Sequence, residues 1–165
     1  LAETELAETA SKSENIALKS KCKILLQTDA VVAKDLIAWQ KPEIIDISQI
    51  PEDAMILDAG PQSTANFSEY LATCKTIIWN GPVGLFEIDD FSHGTKCLAK
   101  AVAFSSGYSA IGGGDTVSAA SKFGVLNNID YISTGGGAFL EYLQGIDLPA
   151  VTSLSNKREK SWVYV

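Results

Sequence analysis

The sequence predicts an α/β fold in which a parallel sheet carries helices on both faces, a three-layer α/β/α arrangement. Two observations predict it. From Gln62 onward, short apolar runs alternate with helical patterns across short loops. The later runs also end in glycine-bearing turns: Trp79-Asn80-Gly81-Pro82, Gly112-Gly113-Gly114-Asp115-Thr116 and Thr134-Gly135-Gly136-Gly137. In open sheets of this kind, ligands bind beyond the carboxyl ends of the strands. Asp58, Asn80 and both glycine triplets fall at such ends.

The elements follow in order. Residues 1–19 read as a helix, with Leu1, Leu6, Ala10, Ala17 and Leu18 set among Glu, Lys and Ser and no Gly or Pro. Cys22–Leu26 is an apolar run suited to a buried strand, and Val31–Ala33, Ile44–Ile47 and Met55–Leu57 are further short strands. Pro42 and Pro51 mark loops between them. Gln62–Cys74 is helical, starting after Pro61. Thr76–Trp79 is a strand, Phe91–Phe104 a helix, Tyr108–Ile111 a strand and Val117–Phe123 a helix. Tyr131–Ser133 is the last strand, and the helix Ala138–Gln144 is stopped by Gly145.

Composition excludes several functions. Apolar residues make up 46% and charged residues 20%, enough for a packed core rather than a disordered chain. A net charge of −7 argues against a nucleic-acid surface, which needs dense Lys and Arg. It leaves room for a single nucleotide held by backbone amides and a metal ion. Cys22, Cys74 and Cys97 are odd in number and widely spaced, as expected of reduced thiols, and with His93 they make no zinc pattern. No stretch approaches the ~20 apolar residues of a membrane span. The beginning at Leu1, inside an acidic helical pattern and without a signal peptide, reads as that of a fragment or a cleaved chain.

Chemistry concentrates in three places. In Ala110-Ile111-Gly112-Gly113-Gly114-Asp115-Thr116 a strand turns through glycines into a helix. Without Cβ atoms a phosphate can reach the backbone, and the first amides of a helix are unpaired and partly positive. Asp115 would repel that phosphate unless Mg²⁺ bridged them; the alternative is that Asp115 and Thr116 simply cap the helix. Ser133-Thr134-Gly135-Gly136-Gly137-Ala138 repeats the design with no adjacent carboxylate. Together the two turns make an anion edge suited to a phosphoryl group in transfer. In the third place, Asn80 can donate to a phosphate oxygen, Pro82, Leu85 and Phe86 offer an apolar surface to a purine, and Glu87 offers a carboxylate to ribose hydroxyls. His93 reads as a surface or capping residue. No Ser/His/Asp or Cys/His set, Gly-x-Gly-x-x-Gly or Gly-x-x-x-x-Gly-Lys-Ser/Thr loop is present.

In this order, Asp58-Ala59-Gly60-Pro61, Trp79 to Glu87, Phe91-Ser92-His93-Gly94-Thr95-Lys96, Gly112 to Thr116, Ser133 to Ala138 and Leu148-Pro149-Ala150-Val151 resemble phosphoglycerate kinase. The resemblance covers residues 1–155 as the later part of that family's C-terminal, Rossmann-like nucleotide-binding domain, an incomplete one, and leaves 156–165 as a C-terminal extension. It implies an ATP:3-phosphoglycerate phosphotransferase of glycolysis, cytoplasmic and monomeric, using Mg²⁺ and ATP or ADP. Its 3-phosphoglycerate or 1,3-bisphosphoglycerate would be held by an N-terminal domain, and no nucleic acid or membrane would be a partner.

By the same resemblance Glu87 holds the ribose, Asn80 and Pro82 lie along the nucleotide, and Leu57 and Leu85 lie near the base. Gly113, Gly114 and Thr116 contact the phosphates, Asp115 holds Mg²⁺ through the nucleotide, and Gly135, Gly136 and Gly137 face the transferred group. The chain departs from the family at Ile56, usually Gly, which would narrow the base pocket, and at Phe139, often Ser, which would alter packing. The family's Gly-Ala-Lys segment and its basic phosphoglycerate patch are not among these residues. The 165 residues by themselves are therefore expected to be inactive; a nucleotide-binding or structural module without catalysis is the other reading.

Overall fold

The computed structural model describes residues 4–36 and 41–156. The expected extension lies outside them, apart from Asn156, and so do the first three residues of the expected N-terminal helix. The chain forms two compact units. The first takes residues 1–71 and 83–98, the second 72–82 and 99–165.

In the first unit, a 3-10 turn at Thr4–Leu6 leads into helix α1, Ala7–Ser20, which ends on Lys21 in the left-handed region at φ 56°. Its sequence is largely polar, and of the residues in the helix only Ala17 is buried. The sheet is built on strand β1, Asp29–Ala33. Strands β2 (Glu43–Asp46) and β3 (Met55–Ala59) flank it, both antiparallel, in the order β2-β1-β3. Asp29 pairs with Asp46 and Ala30 with Ala59. As the central strand, β1 buries every residue from Ala30 to Ala33.

The run Cys22–Leu26 is not a strand; Cys22, Ile24 and Leu26 are exposed. A strand exists only through its ladder, and both sides of β1 are already taken. No other described segment pairs with 22–26. Ile47 likewise leaves β2, because the Asp46 carboxylate accepts the Ser48 N–H at 2.9 Å and bends the chain into a 3-10 turn.

Helix α2, Pro61–Thr73, starts with proline in its first turn and is capped from a distance. The Asp29 carboxylate on β1 accepts the N–H groups of Gln62 (3.0 Å) and Ser63 (2.7 Å) and the Ser63 hydroxyl (2.6 Å). A Cβ on Gly60 would fall on that carboxylate, so Gly60 leaves the space the cap needs. Burial pushes the Asp29 pKa up, but the Ser63 hydroxyl and the two amides outweigh it, and the pKa falls below its ordinary 3.8. A depressed carboxylate contributes stability above its unfolded pKa and loses it as pH falls through the folded value. Asp29→Ala should therefore cost about 1–2 kcal/mol at neutral pH. In urea titrations the gap from wild type should close as acid is added below pH 3.8. A gap that does not change with pH would contradict this.

The second unit holds a parallel sheet of strands β4 (Thr76–Trp79), β5 (Tyr108–Gly112) and β6 (Tyr131–Ser133), in the order β4-β5-β6. Thr76 pairs with Tyr108 and Ile111 with Ile132. The central strand β5 buries Ser109 through Gly112, and the unit's other buried apolar residues include Ile77, Trp79, Val102, Ala119, Ala120 and Val125. Buried Ser109 would be costly unpaired. The Asp130 carboxylate accepts its N–H (2.8 Å) and hydroxyl (2.9 Å), and its Oγ accepts the Asp130 N–H (3.1 Å). This latch fixes the start of β6 against β5.

Four more helices follow among the described residues. Helix α3, His93–Ala103, follows a 3-10 turn at Asp89–Phe91. Helices α4 (Gly114–Lys122) and α5 (Gly136–Leu143) begin three and two residues earlier than the sequence patterns of Val117–Phe123 and Ala138–Gln144 suggest. Glycine weakens a helix interior, but in these turns it forms the first helical residues. Gly145, at φ 77°, follows the C-cap of α5. Helix α6, Pro149–Asn156, has no forerunner among the expected elements; Pro149 opens it, and its exposed Val151 and Leu154 leave no burial pattern to read. No described helix is long and apolar enough to cross a membrane.

Candidate functional site: the glycine edge of the parallel sheet

In the second unit, strands β5 and β6 run side by side and in the same direction, so their glycine turns emerge at one edge of the sheet. The turns touch through bare backbone. A Cβ on Gly136 would stand 2.9 Å from Gly113 Cα and 3.3 Å from Gly113 N. Gly113 has φ +91°, which glycine adopts without strain. A Cβ there would also meet Asn80 Oδ1 at 2.7 Å, so Asn80 stands over the first turn from the end of β4.

Gly113 and Gly135 are the N-caps of α4 and α5, and neither helix has a side-chain cap. The leading amides of two neighbouring helices thus start at glycine-lined turns, the arrangement that attracts an anion. Gly114, Asp115, Gly135 and Gly137 are exposed, and Gly113 and Gly136 are partly so. Asp115 is the only carboxylate in the first turn of either helix. Among the described residues no group of three or more His, Cys, Asp or Glu could hold a metal. One carboxylate beside an anion-binding edge fits a Mg²⁺ ion carried mainly by phosphates and solvent. It does not form an all-protein cage.

Thr116 is buried, and its Oγ1 accepts the Gly81 N–H at 2.7 Å. The Gly81 carbonyl accepts the Trp79 indole N–H at 2.7 Å. Gly81 sits at φ +106°, so the turn after Trp79 requires glycine. The Trp-Asn-Gly-Pro motif is thereby locked at both polar groups of Gly81, with Asn80 held outward and exposed. Phe139 lies against Gly112: a Cβ on Gly112 would collide with its ring, with Cε1 2.7 Å away. The residue that departs from the family pattern packs on the strand beneath the glycine turns.

The remaining candidates, Pro82 apart, belong to the first unit. Leu57 and Leu85 come together: Leu85 N–H donates to the Leu57 carbonyl at 2.8 Å, and both pack on the buried cluster of Val31, Ala33 and Phe91. Glu87 is exposed, Pro82 of the second unit is partly buried, and Ile56 is half exposed.

Asp58 stands apart from the other candidates. It is fully buried, and its carboxylate accepts the Gly94 N–H at 2.6 Å and the Ala59 N–H at 3.0 Å. Cβ atoms on Gly84 or Gly94 would strike this carboxylate. Asp58 therefore anchors the start of α3 and the loop at Gly84; sequence position alone had set it with the chemistry. His93 is exposed at the first position of α3, as expected of a surface or capping residue. Cys22 is exposed, and Cys74 and Cys97 are partly buried, all as free thiols. The Ser109–Asp130 latch was not anticipated. Its one signal in the sequence is a serine inside the apolar run Tyr108–Ile111.

Comparison with known proteins matches residues 1–146 to the family model of phosphoglycerate kinase. Among solved structures, the phosphoglycerate kinase from Coxiella burnetii is 41% identical with a TM-score of 0.86, over 91% of this chain and 39% of that one. The phosphoglycerate kinase from Pyrococcus horikoshii OT3 is 29% identical with a TM-score of 0.80, over 96% of this chain and 39% of that one.

Proposed function

Because this chain belongs to the phosphoglycerate kinase family, we propose that it carries the nucleotide and phosphoryl side of an ATP:3-phosphoglycerate phosphotransferase. The observation that supports this most is the contact of two uncapped glycine turns at the carboxyl ends of adjacent parallel strands. Phosphoryl transfer asks little covalent chemistry of a protein and much charge stabilisation, and amides already aimed at the group need no reorganisation.

In this proposal the amides at Gly113 and Gly114 hold the nucleotide phosphates, and Gly135, Gly136 and Gly137 face the group in transit. Asn80 donates to a phosphate oxygen, and Thr116 keeps the Trp79–Pro82 turn in place through Gly81. Asp115 orients a Mg²⁺ ion that, when bound with the nucleotide, screens phosphate charge. The assignments of Glu87 to ribose, of Leu57 and Leu85 to the base and of Pro82 to the nucleotide rest on the family resemblance. So do 3-phosphoglycerate or 1,3-bisphosphoglycerate as the other substrate, held by residues outside this chain, and a cytoplasmic, monomeric setting.

The 165 residues contain no Gly-Ala-Lys segment, and aligning donor with acceptor requires closure of a second domain. They are proposed to bind Mg-ADP weakly and not to turn over. Calorimetry should detect Mg-ADP binding that Asp115→Ala and Glu87→Ala each weaken, by about 1–3 kcal/mol for one lost charge-assisted contact. A coupled assay should find no phosphoglycerate-dependent ADP formation. Turnover by the purified chain would refute inactivity, and absence of any ADP binding would favour a purely structural module.

A further inference from the structure

His93 and Cys97 occupy successive turns of one face of α3, four residues apart. The His93 Nε2 and the Cys97 Sγ lie 3.5 Å from each other. Sequence spacing alone showed no zinc pattern or Cys/His set; the fold brings this pair together, outside the proposed phosphoryl transfer. His93 is exposed and Cys97 partly buried, so a solute can reach the gap between them.

The separation is the informative quantity. Zinc binds imidazole nitrogen at about 2.0–2.1 Å and thiolate sulfur at about 2.3 Å, and a tetrahedral angle between them sets the two ligand atoms about 3.6 Å apart. The pair already has that bite. It is mounted on a helix whose start is fixed: the Asp58 carboxylate holds the Gly94 N–H at 2.6 Å, and Thr95 Oγ1 accepts the Val83 N–H at 3.2 Å. A cation can therefore be met without rearranging the backbone.

We propose that His93 Nε2 and Cys97 Sγ form a two-point site for a borderline-soft divalent cation of the zinc class, with water completing its coordination. Thiolate and imidazole select such ions over Mg²⁺, which takes oxygen ligands, so the site does not compete for the ion of the nucleotide. The thiol gives up its proton to solvent on coordination. The ion joins the first and second turns of α3 and stabilises the folded chain by mass action.

The test uses the whole chain with Zn²⁺ or Co²⁺ alone, without nucleotide. Calorimetry should give one Zn²⁺ per chain, and Co²⁺ should produce a sulfur-to-metal charge-transfer absorption. Zn²⁺ should also raise the melting temperature. Cys97→Ala should remove the absorption and His93→Ala the melting shift, while Cys22→Ala and Cys74→Ala keep both. Circular dichroism of the metal-free variants checks that they fold, and Cys97→Ser provides a milder form. A charge-transfer band that survives Cys97→Ala, or a melting temperature indifferent to Zn²⁺ in the parent chain, overturns the proposal.

Discussion

Asp58→Ala is expected to lower the unfolding free energy by about 3 kcal/mol at neutral pH, the largest single effect in the first unit. The substitution orphans two buried donors, the N–H groups of Gly94 and Ala59. It also empties the space that Gly84 and Gly94 leave for the carboxylate. Asp58→Asn should cost less but still destabilise, because one of the two donors would then face an amide nitrogen. Urea denaturation followed by circular dichroism measures both.

Acid gives an independent reading. Burial raises the Asp58 pKa above its ordinary 3.8, and the amides of Gly94 and Ala59 and the charge of His93 only partly oppose it. A raised carboxylate contributes stability that is present below the unfolded pKa and lost as pH rises through the folded one. The penalty of Asp58→Ala should thus be greatest below pH 3.8 and decline above it, the reverse of the behaviour expected of Asp29. Equal pH profiles for the two substitutions would contradict this account.

Gly136→Ala carries the second large effect. The new Cβ would stand 2.9 Å from the Cα of Gly113, and a backbone atom cannot swing aside as a flexible side chain can. Relief requires the starts of α4 and α5 to separate, at about 1–3 kcal/mol of overpacking. Gly137→Ala is the matched control, since nothing lies within 4 Å of its Cβ position. If the glycine edge is built as proposed, Gly136→Ala also abolishes ADP binding, whereas Gly137→Ala keeps the fold at wild-type stability within a few tenths of a kcal/mol. Equal stability of the two variants would contradict the contact between the turns.

What could be read from the sequence divides along physical lines. The boundaries of β4 and β6 agree with their apolar runs, since these strands end where glycine or a polar residue interrupts the run. The glycine turns were legible because glycine at a strand's end has few other uses. Their mutual contact was not, because no residue in the sequence records which two turns meet in space. Cys22–Leu26 misled for a related reason: an apolar run reports a wish for burial, not the presence of a ladder partner. Asp58 looked like chemistry, and its burial became visible only with Gly84 and Gly94 around it. Asp29 and Ser63, like Ser109 and Asp130, are polar pairs linked across tens of residues, and local patterns contain no sign of such links.

The lock at Gly81 also makes the protein its own optical gauge. Trp79 is the one tryptophan among the described residues, buried, with its indole N–H engaged by a carbonyl of the turn it belongs to. Its emission should be that of a shielded, hydrogen-bonded indole, and the same glycine is tied through Thr116 to the first helical turn after the Gly112–Gly114 triplet. Whatever displaces that turn changes the polarity around the ring, so the colour of Trp79 fluorescence, isolated by replacing Trp39 and Trp162 with Phe, should follow the state of the glycine edge without an attached dye.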